Sequence, residues 1–168
     1  MTEQNAYIVK NVMQGTVQFG TAASYGKIPN QDTSAKTGTT NDSFDRWYVT
    51  FTNYYAAACW YGYEFSSEVY WTGGANPAGS ICSSIMKDVH ANLEPSSFQE
   101  PSGIERKSVC KYSGMLAGEG CSDVYQEVFA KGTEPEVCNK HIKVRICAET
   151  GLLASEWCQS AIEEYKNE

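Results

Sequence analysis

A cation, three threonines and a glycine fall together in one short stretch of this 168-residue chain, at residues 35–42, where a strand is predicted to begin. Lys36 supplies positive charge, and Thr37 and Thr39 share one face at the two-residue period of a strand. Gly38 has no side chain, so a ligand can approach the backbone there. These residue types at this spacing favour the binding of an anion such as a carboxylate at the edge of a sheet.

The Lys36-Thr37-Gly38 triplet resembles the third signature motif of the penicillin-binding proteins and serine β-lactamases. The longer run, with Asp45 and Trp47 downstream, is similar to the C-terminal part of the transpeptidase domain of class A (bifunctional) penicillin-binding proteins. The resemblance also covers residues 19–22 and 54–64. It implies a parent enzyme that cross-links peptidoglycan: a serine attacks a D-Ala-D-Ala stem peptide, releases the last D-Ala and passes the acyl group to a neighbouring amine. β-Lactams would compete by mimicking that dipeptide.

The resemblance also implies roles for individual residues. Lys36 would set the electrostatics of the site and contact the serine of a Ser-x-Asn motif. Thr37 and Thr39 would hold the terminal carboxylate of the substrate, and Gly38 would leave room for it. The backbone N–H of Thr39 would donate to the oxyanion of the acyl-transfer step. Lys36 and Thr39 are therefore the catalytic candidates, and all four residues are substrate-binding candidates.

Acyl transfer also requires a nucleophile and a base that activates it. In the resembled family a Ser-x-x-Lys and a Ser-x-Asn motif precede the Lys-Thr-Gly strand, but this chain contains no Ser-x-Asn triplet. Its two Ser-x-x-Lys matches, at residues 84–87 and 108–111, both follow the Lys36 strand, and we interpret them as chance matches. We therefore predict that this chain does not acylate on its own and needs no cofactor.

Several secondary-structure elements are predicted around the Lys36 stretch. Thr2 caps a first helix, and a loop of small and polar residues at 21–33 leads into the strand. The helix carries apolar residues at helical spacing, namely Ala6, Val9, Val12, Met13 and Val17. Alternating residues at 46–52 and an aromatic run at 54–63 predict two more strands. The three strands together predict an antiparallel meander.

A second helix is predicted to cover one face of this sheet. Residues 72–77 form a loop, and Asn76 or Ser80 begins the helix. Its apolar stripe consists of Ile81, Cys82, Ile85, Met86, Val89 and Leu93. We expect Cys82, like Cys59, to be a buried thiol. The pattern predicts an α+β fold, an α/β sandwich portion in which helices cover an antiparallel sheet.

The aromatic residues of the third strand allow two interpretations. They are Tyr54, Tyr55, Trp60, Tyr61 and Tyr63. Exposed rings would favour sugar stacking, whereas aromatic residues in strands more often pack in the sheet and core. We expect them to belong to the core.

Composition and charge limit the class of protein. A net charge of −7 and a pI near 4.9 exclude a nucleic-acid surface, which needs a basic stripe. No apolar run is long enough to cross a bilayer, and the N-terminus lacks a signal peptide. Seven cysteines nevertheless indicate an oxidising compartment. We expect an extracytoplasmic location, with the membrane anchor of the parent protein upstream of this chain.

A change of composition divides the chain. The Pro- and Ser-containing segment 94–103 is predicted to be a linker between a transpeptidase portion at 1–93 and an extension at 104–168. The extension contains a tandem repeat, because Cys147 follows Cys110, and Cys158 follows Cys121, by 37 residues. In each unit a hydroxyl residue and a glycine lie three and four positions after the first cysteine, followed by Leu-Ala and the second cysteine.

The repeat predicts a strand that ends at Cys110 or Cys147, a turn, and a return to the second cysteine. We expect disulfides within each unit, Cys110–Cys121 and Cys147–Cys158, that staple a piece too small for a large core. A zinc site is the alternative, since Cys138-x-x-His141 has ligand spacing, but no second close pair exists and we predict no metal.

Three functional hypotheses remain. The first is a fragment of a D,D-transpeptidase, in which the complete parent domain binds stem peptides and β-lactams. The second is a non-catalytic module, in which the repeat at 104–168 binds the cell wall or another protein. The third is a cytosolic zinc module, which would require bound metal and reduced thiols.

Overall fold

A computed structural model describes residues 1–71 and 74–167 of the chain. They form two compact units, Met1–Ser102 and Gly103–Glu168. The first unit contains helix α1 (Glu3–Gln18), strand β1 (Ser34–Thr39), a short 3₁₀ turn (Asn41–Ser43), strands β2 (Asp45–Phe51) and β3 (Ala56–Gly62), and helix α2 (Pro77–His90). The second unit contains strands β4 (Ile104–Cys110), β5 (Val124–Ala130), β6 (His141–Cys147) and β7 (Ala161–Asn167). Thr72 and Gly73 of the predicted loop, and residue 168 of the predicted extension, lie outside the described residues.

The sheet of the first unit is an antiparallel meander in the order β1-β2-β3, as predicted. Lys36 pairs with Val49, and Gly38 with Trp47, which in turn pairs with Trp60 of β3. Directly opposite residues lie on the same face of a sheet. The register therefore assigns the residues of β1 to two faces, with Lys36 and Gly38 on one and Thr37 and Thr39 on the other.

Both helices begin at the residues that the sequence indicates. The Thr2 hydroxyl accepts a hydrogen bond from the Asn5 N–H at 3.2 Å, and the side-chain oxygen of Asn76 accepts one from the Ala78 N–H at 3.0 Å. Each bond satisfies a backbone donor that has no partner inside its helix. The predicted cap at Thr2 is confirmed, and of the two candidates for α2 the cap is Asn76.

The core lies between the two helices and one face of the sheet. Its buried side chains are Val17, Ala22, Ile28, Ala35, Tyr48, Ala78, Cys82 and Met86. Tyr48 is fully buried, and the ring of Tyr25 packs beside it with 5.6 Å between the centroids. Burial raises the pKa of Tyr25 to about 12. Ser34 joins sheet and helix, because its hydroxyl donates to the carbonyl of Lys10 at 2.7 Å.

Only part of each predicted apolar stripe is buried. The buried members are Val17 on α1 and Cys82 and Met86 on α2. The exposed members are Val9 and Val12 on α1 and Ile81, Ile85 and Val89 on α2. Each helix packs on the sheet along a narrow line, so residues one helical row away from that line face outward.

The prediction that the aromatic residues of the run at 54–63 belong to the core is wrong. Tyr54, Tyr55, Trp60, Tyr61 and Tyr63 are between 38% and 53% exposed. The helices cover only the face that carries Tyr48 and Thr50, and the residues that alternate with these two, Trp47 and Val49, are exposed as well. Alternation in β2 therefore places Tyr48 and Thr50 inward and Trp47 and Val49 outward.

The second unit contains two similar β-hairpins, related by the 37-residue spacing of the sequence repeat. Strands β4 and β5 pair antiparallel, and β6 and β7 do the same. The Cys110 N–H donates to the Met115 carbonyl at 2.8 Å, and 37 residues later Cys147 donates to Leu152 at the same distance. The turn glycines Gly114 and Gly151 both have positive φ angles, +73° and +70°. The predicted strand ends and turns are confirmed.

Two helices and small antiparallel sheets make this an α+β chain, as predicted. Among the described residues no helix has the length and apolar character needed to cross a membrane.

Candidate functional site

The Lys36 stretch forms the end of an edge strand. Within the described residues β1 has a strand neighbour, β2, on one side only. Ala35, at its start, is fully buried under the helices, whereas Thr37 is half-buried and Thr39 is exposed. The face of β1 that carries the two threonines is therefore buried at the start of the strand and becomes accessible to solvent at Thr37 and Thr39.

A pocket of about 390 Å³ opens where this face emerges. Its polar side chains come from the loop after α1, from β1, from β2 and from the cap of α2, and they are Thr21, Thr37, Thr39, Arg46 and Asn76. Trp71 and Pro77 supply apolar surface. The hydroxyls of Thr21 and Thr37 are 3.1 Å apart and share a hydrogen bond. The structure thus brings Thr37 and Thr39 together in one concave site, with a hydroxyl of the preceding loop.

The cation of this pocket is Arg46 on β2. It lies directly opposite Thr39, and its Nη1 donates to the Thr39 hydroxyl oxygen at 3.3 Å. Its Nε is buried and has no hydrogen-bond partner in the described part of the chain. A guanidinium with an unused donor beside hydroxyl groups matches the geometry of a carboxylate. Sequence reasoning missed Arg46, although the short turn at residues 41–43 fixes the register that pairs it with Thr39.

Lys36 does not line this pocket. Its side chain is exposed, and its Nζ donates to the carbonyl oxygen of Thr37 at 2.8 Å. Alternation along the strand places Lys36 on the face opposite to the threonine hydroxyls.

Gly38 lies on the same face as Lys36, and its lack of a side chain has a packing reason. A Cβ at position 38 would be 3.1 Å from the Cβ of Trp47, its partner across the strand pair. The glycine thus allows Trp47 to lie close against β1.

The serines and lysines of the two Ser-x-x-Lys matches do not line the pocket. Ser84 and Lys87 are both exposed on α2. In the second unit, Ser108 accepts a hydrogen bond from Gln126 at 2.7 Å, and Lys111 forms an ion pair with Asp123 at 2.7 Å. In the second of the two matches, the serine and the lysine are thus each bound to another residue.

A second group of reactive side chains lies in the second unit. The sulfur atoms of Cys110, Cys121 and Cys138 and a ring nitrogen of His141 all lie within 4.8 Å of one another. Cys110 Sγ is 3.1 Å from His141 Nε2, and this contact is the main cause that lowers the pKa of Cys110 to about 6. Burial raises the pKa of Cys121. These four residues could hold a metal ion, and below they are called the cysteine–histidine cluster.

The predicted Cys110–Cys121 and Cys147–Cys158 disulfides are absent from the described residues, where all seven cysteines are free thiols. The structure also supplies the second pair of ligands that the sequence appeared to lack. Cys138 and His141 are three residues apart, but Cys110 and Cys121 reach them only through the fold. The N–H of Leu116 donates to the Glu136 carbonyl, and the N–H of Cys138 donates to the Leu116 carbonyl, which fixes that approach.

The Lys-Thr-Gly motif on an edge strand and the sheet covered by helices are features of the penicillin-binding proteins, and comparisons with known proteins show the same family. The family profile described as "Penicillin-binding protein 1A, C-terminal domain" matches residues 100–143. Penicillin-binding protein 1A of Clostridium tetani is 32% identical over 153 residues, which cover 84% of this chain and 19% of the relative. The protein of the same name from Clostridium botulinum is 31% identical over 171 aligned residues, 98% of this chain and 21% of the relative.

A solved structure supports the same fold. The crystal structure of penicillin-binding protein 1A from Haemophilus influenzae superposes with a TM-score of 0.63 over 80% of this chain and 21% of that chain, at 22% sequence identity. The chain belongs to the class A penicillin-binding protein family. It spans about one fifth of the length of the relatives it matches.

Proposed function

We propose that this chain supplies one wall of the active site of a peptidoglycan D,D-transpeptidase and does not supply the nucleophile. In this proposal Thr37 and Thr39 hold the terminal carboxylate of a stem peptide, and the backbone N–H of Thr39 donates to the oxyanion. The observation that supports this proposal is the pocket that both threonines and Arg46 line, with a hydrogen bond from Arg46 to the Thr39 hydroxyl. A carboxylate there would use charge-assisted hydrogen bonds, which are about twice as strong as neutral ones.

Arg46 adds to the roles that the resemblance assigns. Its Nη1 is already bound to Thr39, and its buried Nε has no partner among the described residues. The arginine would add its positive charge beside a bound carboxylate and would orient the threonine hydroxyl toward the same ligand. Lys36, on the opposite face, would then act by a separate contact to the remainder of the parent domain.

The complete parent would cross-link stem peptides outside the cytoplasmic membrane and would react with β-lactams at the same site. Its membrane anchor would lie upstream of this chain. Residues 1–93 would belong to the transpeptidase domain, 94–103 would be the linker, and 104–168 the extension. Exposed apolar residues on α1, on α2 and on the uncovered face of the sheet support contact with further parts of such a parent.

In the extension, we propose a disulfide between Cys147 and Cys158 under oxidising conditions. Both sulfur atoms approach the hydroxyl of Ser160, at 3.6 Å and 3.7 Å, so they lie close to each other in the turn of the second repeat unit.

The first test is the intact mass of the purified 168-residue chain, denatured after incubation with a penicillin. We expect an unchanged mass, because both Ser-x-x-Lys matches follow the Lys36 strand and the chain contains no Ser-x-Asn triplet. The complete penicillin-binding protein 1A of Clostridium tetani serves as the positive control and should gain the mass of one drug molecule. A stoichiometric adduct on Ser84 or Ser108 would contradict the proposal that the nucleophile lies elsewhere.

A further inference from the structure

The cysteine–histidine cluster has the donor atoms and the spacing of a structural zinc site. Zinc in proteins is tetrahedral, with Zn–S distances of about 2.3 Å and Zn–N distances of about 2.0–2.1 Å, so its ligand atoms lie about 3.5–3.8 Å apart. The three sulfur atoms and the histidine nitrogen of the cluster all lie within 4.8 Å of one another. We propose that Cys110, Cys121, Cys138 and His141 bind one Zn²⁺ ion.

The chemistry of the donors selects the metal and its role. Three thiolates and an imidazole suit zinc, whereas calcium and magnesium require oxygen ligands. Four protein ligands complete a tetrahedron and leave no open position for water or substrate, which is typical of a structural site. Two of the four residues, Cys110 and Cys138, are buried, so the ion would lie inside the unit.

Groups around the cluster are placed to stabilise thiolate charge. The N–H of Gly118 donates to Cys121 Sγ at 3.3 Å, and the Ser113 hydroxyl donates to Cys138 Sγ at 3.1 Å. The N–H of Lys140 lies 3.5 Å from Cys138 Sγ. Donors of this kind orient the ligands of a metal site and balance its charge.

The position of the cluster explains why the unit needs it. Cys110 ends β4, Cys121 lies three residues before β5, and Cys138 and His141 lie where β6 begins. The ion would therefore join the first hairpin to the entry of the second. Few apolar side chains of this unit are buried, namely Val109, Cys110, Val128, Cys138 and Ile146. A unit with so small a core gains much of its stability from a bound metal.

Cysteine numbers favour zinc over a disulfide at this place. The second unit contains five cysteines, an odd number, so pairing within each repeat leaves Cys138 unused. A zinc ion that takes three of them leaves Cys147 and Cys158, which lie together in the second repeat. Among the described residues, Cys147 and Cys158 have no further metal ligands in the positions that Cys138 and His141 take beside the first repeat. We therefore expect one zinc site per chain.

The test is the zinc content of the full 168-residue chain purified under reducing conditions, measured by elemental analysis and native mass spectrometry. We expect one zinc per chain, and with cobalt in its place the charge-transfer bands of thiolate ligands and the visible bands of tetrahedral geometry. Cys138→Ser and His141→Ala should lose stoichiometric metal. The matched control, Cys147→Ser with Cys158→Ser, should keep one zinc.

A further variant separates loss of a ligand from loss of the fold. His141→Cys retains four tetrahedral donors, so it should keep one metal per chain and give cobalt bands with more thiolate character. The proposal is overturned if Cys138→Ser and His141→Ala still bind one zinc. It is also overturned if the wild-type chain, offered zinc while reduced, binds none and on exposure to air joins Cys110 to Cys121, with loss of two hydrogen masses.

Discussion

Arg46 lies directly opposite Thr39 in the β1–β2 pair, and its Nη1 donates a 3.3 Å hydrogen bond to the hydroxyl oxygen of that threonine. This contact places a permanent positive charge beside the Lys-Thr-Gly strand, on the face that carries the pocket. Lys36 carries a charge on the other face. Binding of an anion in the pocket would therefore depend on a residue of the neighbouring strand.

Gly118 should be essential for the cysteine–histidine cluster. A Cβ at this position would be 2.7 Å from the carbonyl oxygen of Cys138 and 2.8 Å from a methyl group of Val137. Gly118→Ala must push the Cys138 segment away, since the nearer atom belongs to the backbone. We expect a loss of stoichiometric zinc and a lower melting temperature in the presence of zinc.

Gly74→Ala is the matched control for that substitution, because a Cβ at position 74 meets nothing within 4 Å. Its zinc content should equal that of the wild type. Equal zinc content in the Gly118→Ala variant would contradict the close packing of the two loops.

His90 should contribute to the stability of the first unit. It is buried, and its two ring nitrogens contact the Thr52 hydroxyl at 2.8 Å and the Met86 carbonyl at 2.6 Å. His90→Leu removes both hydrogen bonds, each of which contributes about 0.5–1.5 kcal/mol, so the free energy of unfolding should fall by about 1–3 kcal/mol. Urea unfolding followed by tryptophan fluorescence would measure the change.

The neighbouring Val89→Ala substitution is a control on the exposed side of the same helix. It should change the free energy of unfolding by no more than about 0.5 kcal/mol. If His90→Leu unfolds at the same urea concentration as this control, the buried contacts of His90 do not stabilise the unit.

The thiols of the reduced chain should differ in reactivity with pH. The Thr150 hydroxyl, together with Cys158 and Ser160, lowers the pKa of Cys147 to about 6, whereas burial raises the pKa of Cys82. Because the thiolate is the reactive form, the rate of alkylation of Cys147 should rise with pH around 6. At neutral pH most of the Cys147 side chain should be thiolate, and the rate should no longer increase much. Cys82 should react only after unfolding.

Peptide mapping after brief treatment with iodoacetamide at several pH values would measure both rates. An ordinary thiol has a pKa of about 8.5. A midpoint near that value for Cys147, or faster alkylation of Cys82 than of Cys147, would contradict the environments seen in the structure.

Features set by neighbouring residues could be predicted from the sequence. The Thr2 and Asn76 caps depend on bonds to the next turn, and the turns at Gly114 and Gly151 depend on a local backbone conformation. Alternating side chains predict β2, and the Lys36 stretch and the aromatic run at 54–63 predict β1 and β3. In all these cases the interacting groups are close in sequence, so the pattern contains the information.

Features that depend on distant parts of the chain were not predicted. The exposure of the aromatic residues at 54–63 depends on which face of the sheet the helices cover, and alternation alone leaves that choice open. The cysteine–histidine cluster depends on the hydrogen bonds that Leu116 makes with residues 136 and 138. Ligand spacing in the sequence showed only the pair of Cys138 and His141.

The most direct test of the carboxylate-binding wall uses a chimera. This chain would replace the matching segment of penicillin-binding protein 1A of Clostridium tetani, and the rate of acylation by a fluorescent penicillin would be measured. Thr37→Val with Thr39→Val removes two hydroxyl donors to a charged group, each worth about 1.5–3 kcal/mol, so the rate should fall by roughly a hundredfold or more. Ser84→Ala, on the exposed side of α2, should leave the rate unchanged. A Thr37→Val and Thr39→Val chimera that reacts as fast as the unsubstituted chimera would contradict the assignment of this strand as the carboxylate-binding wall.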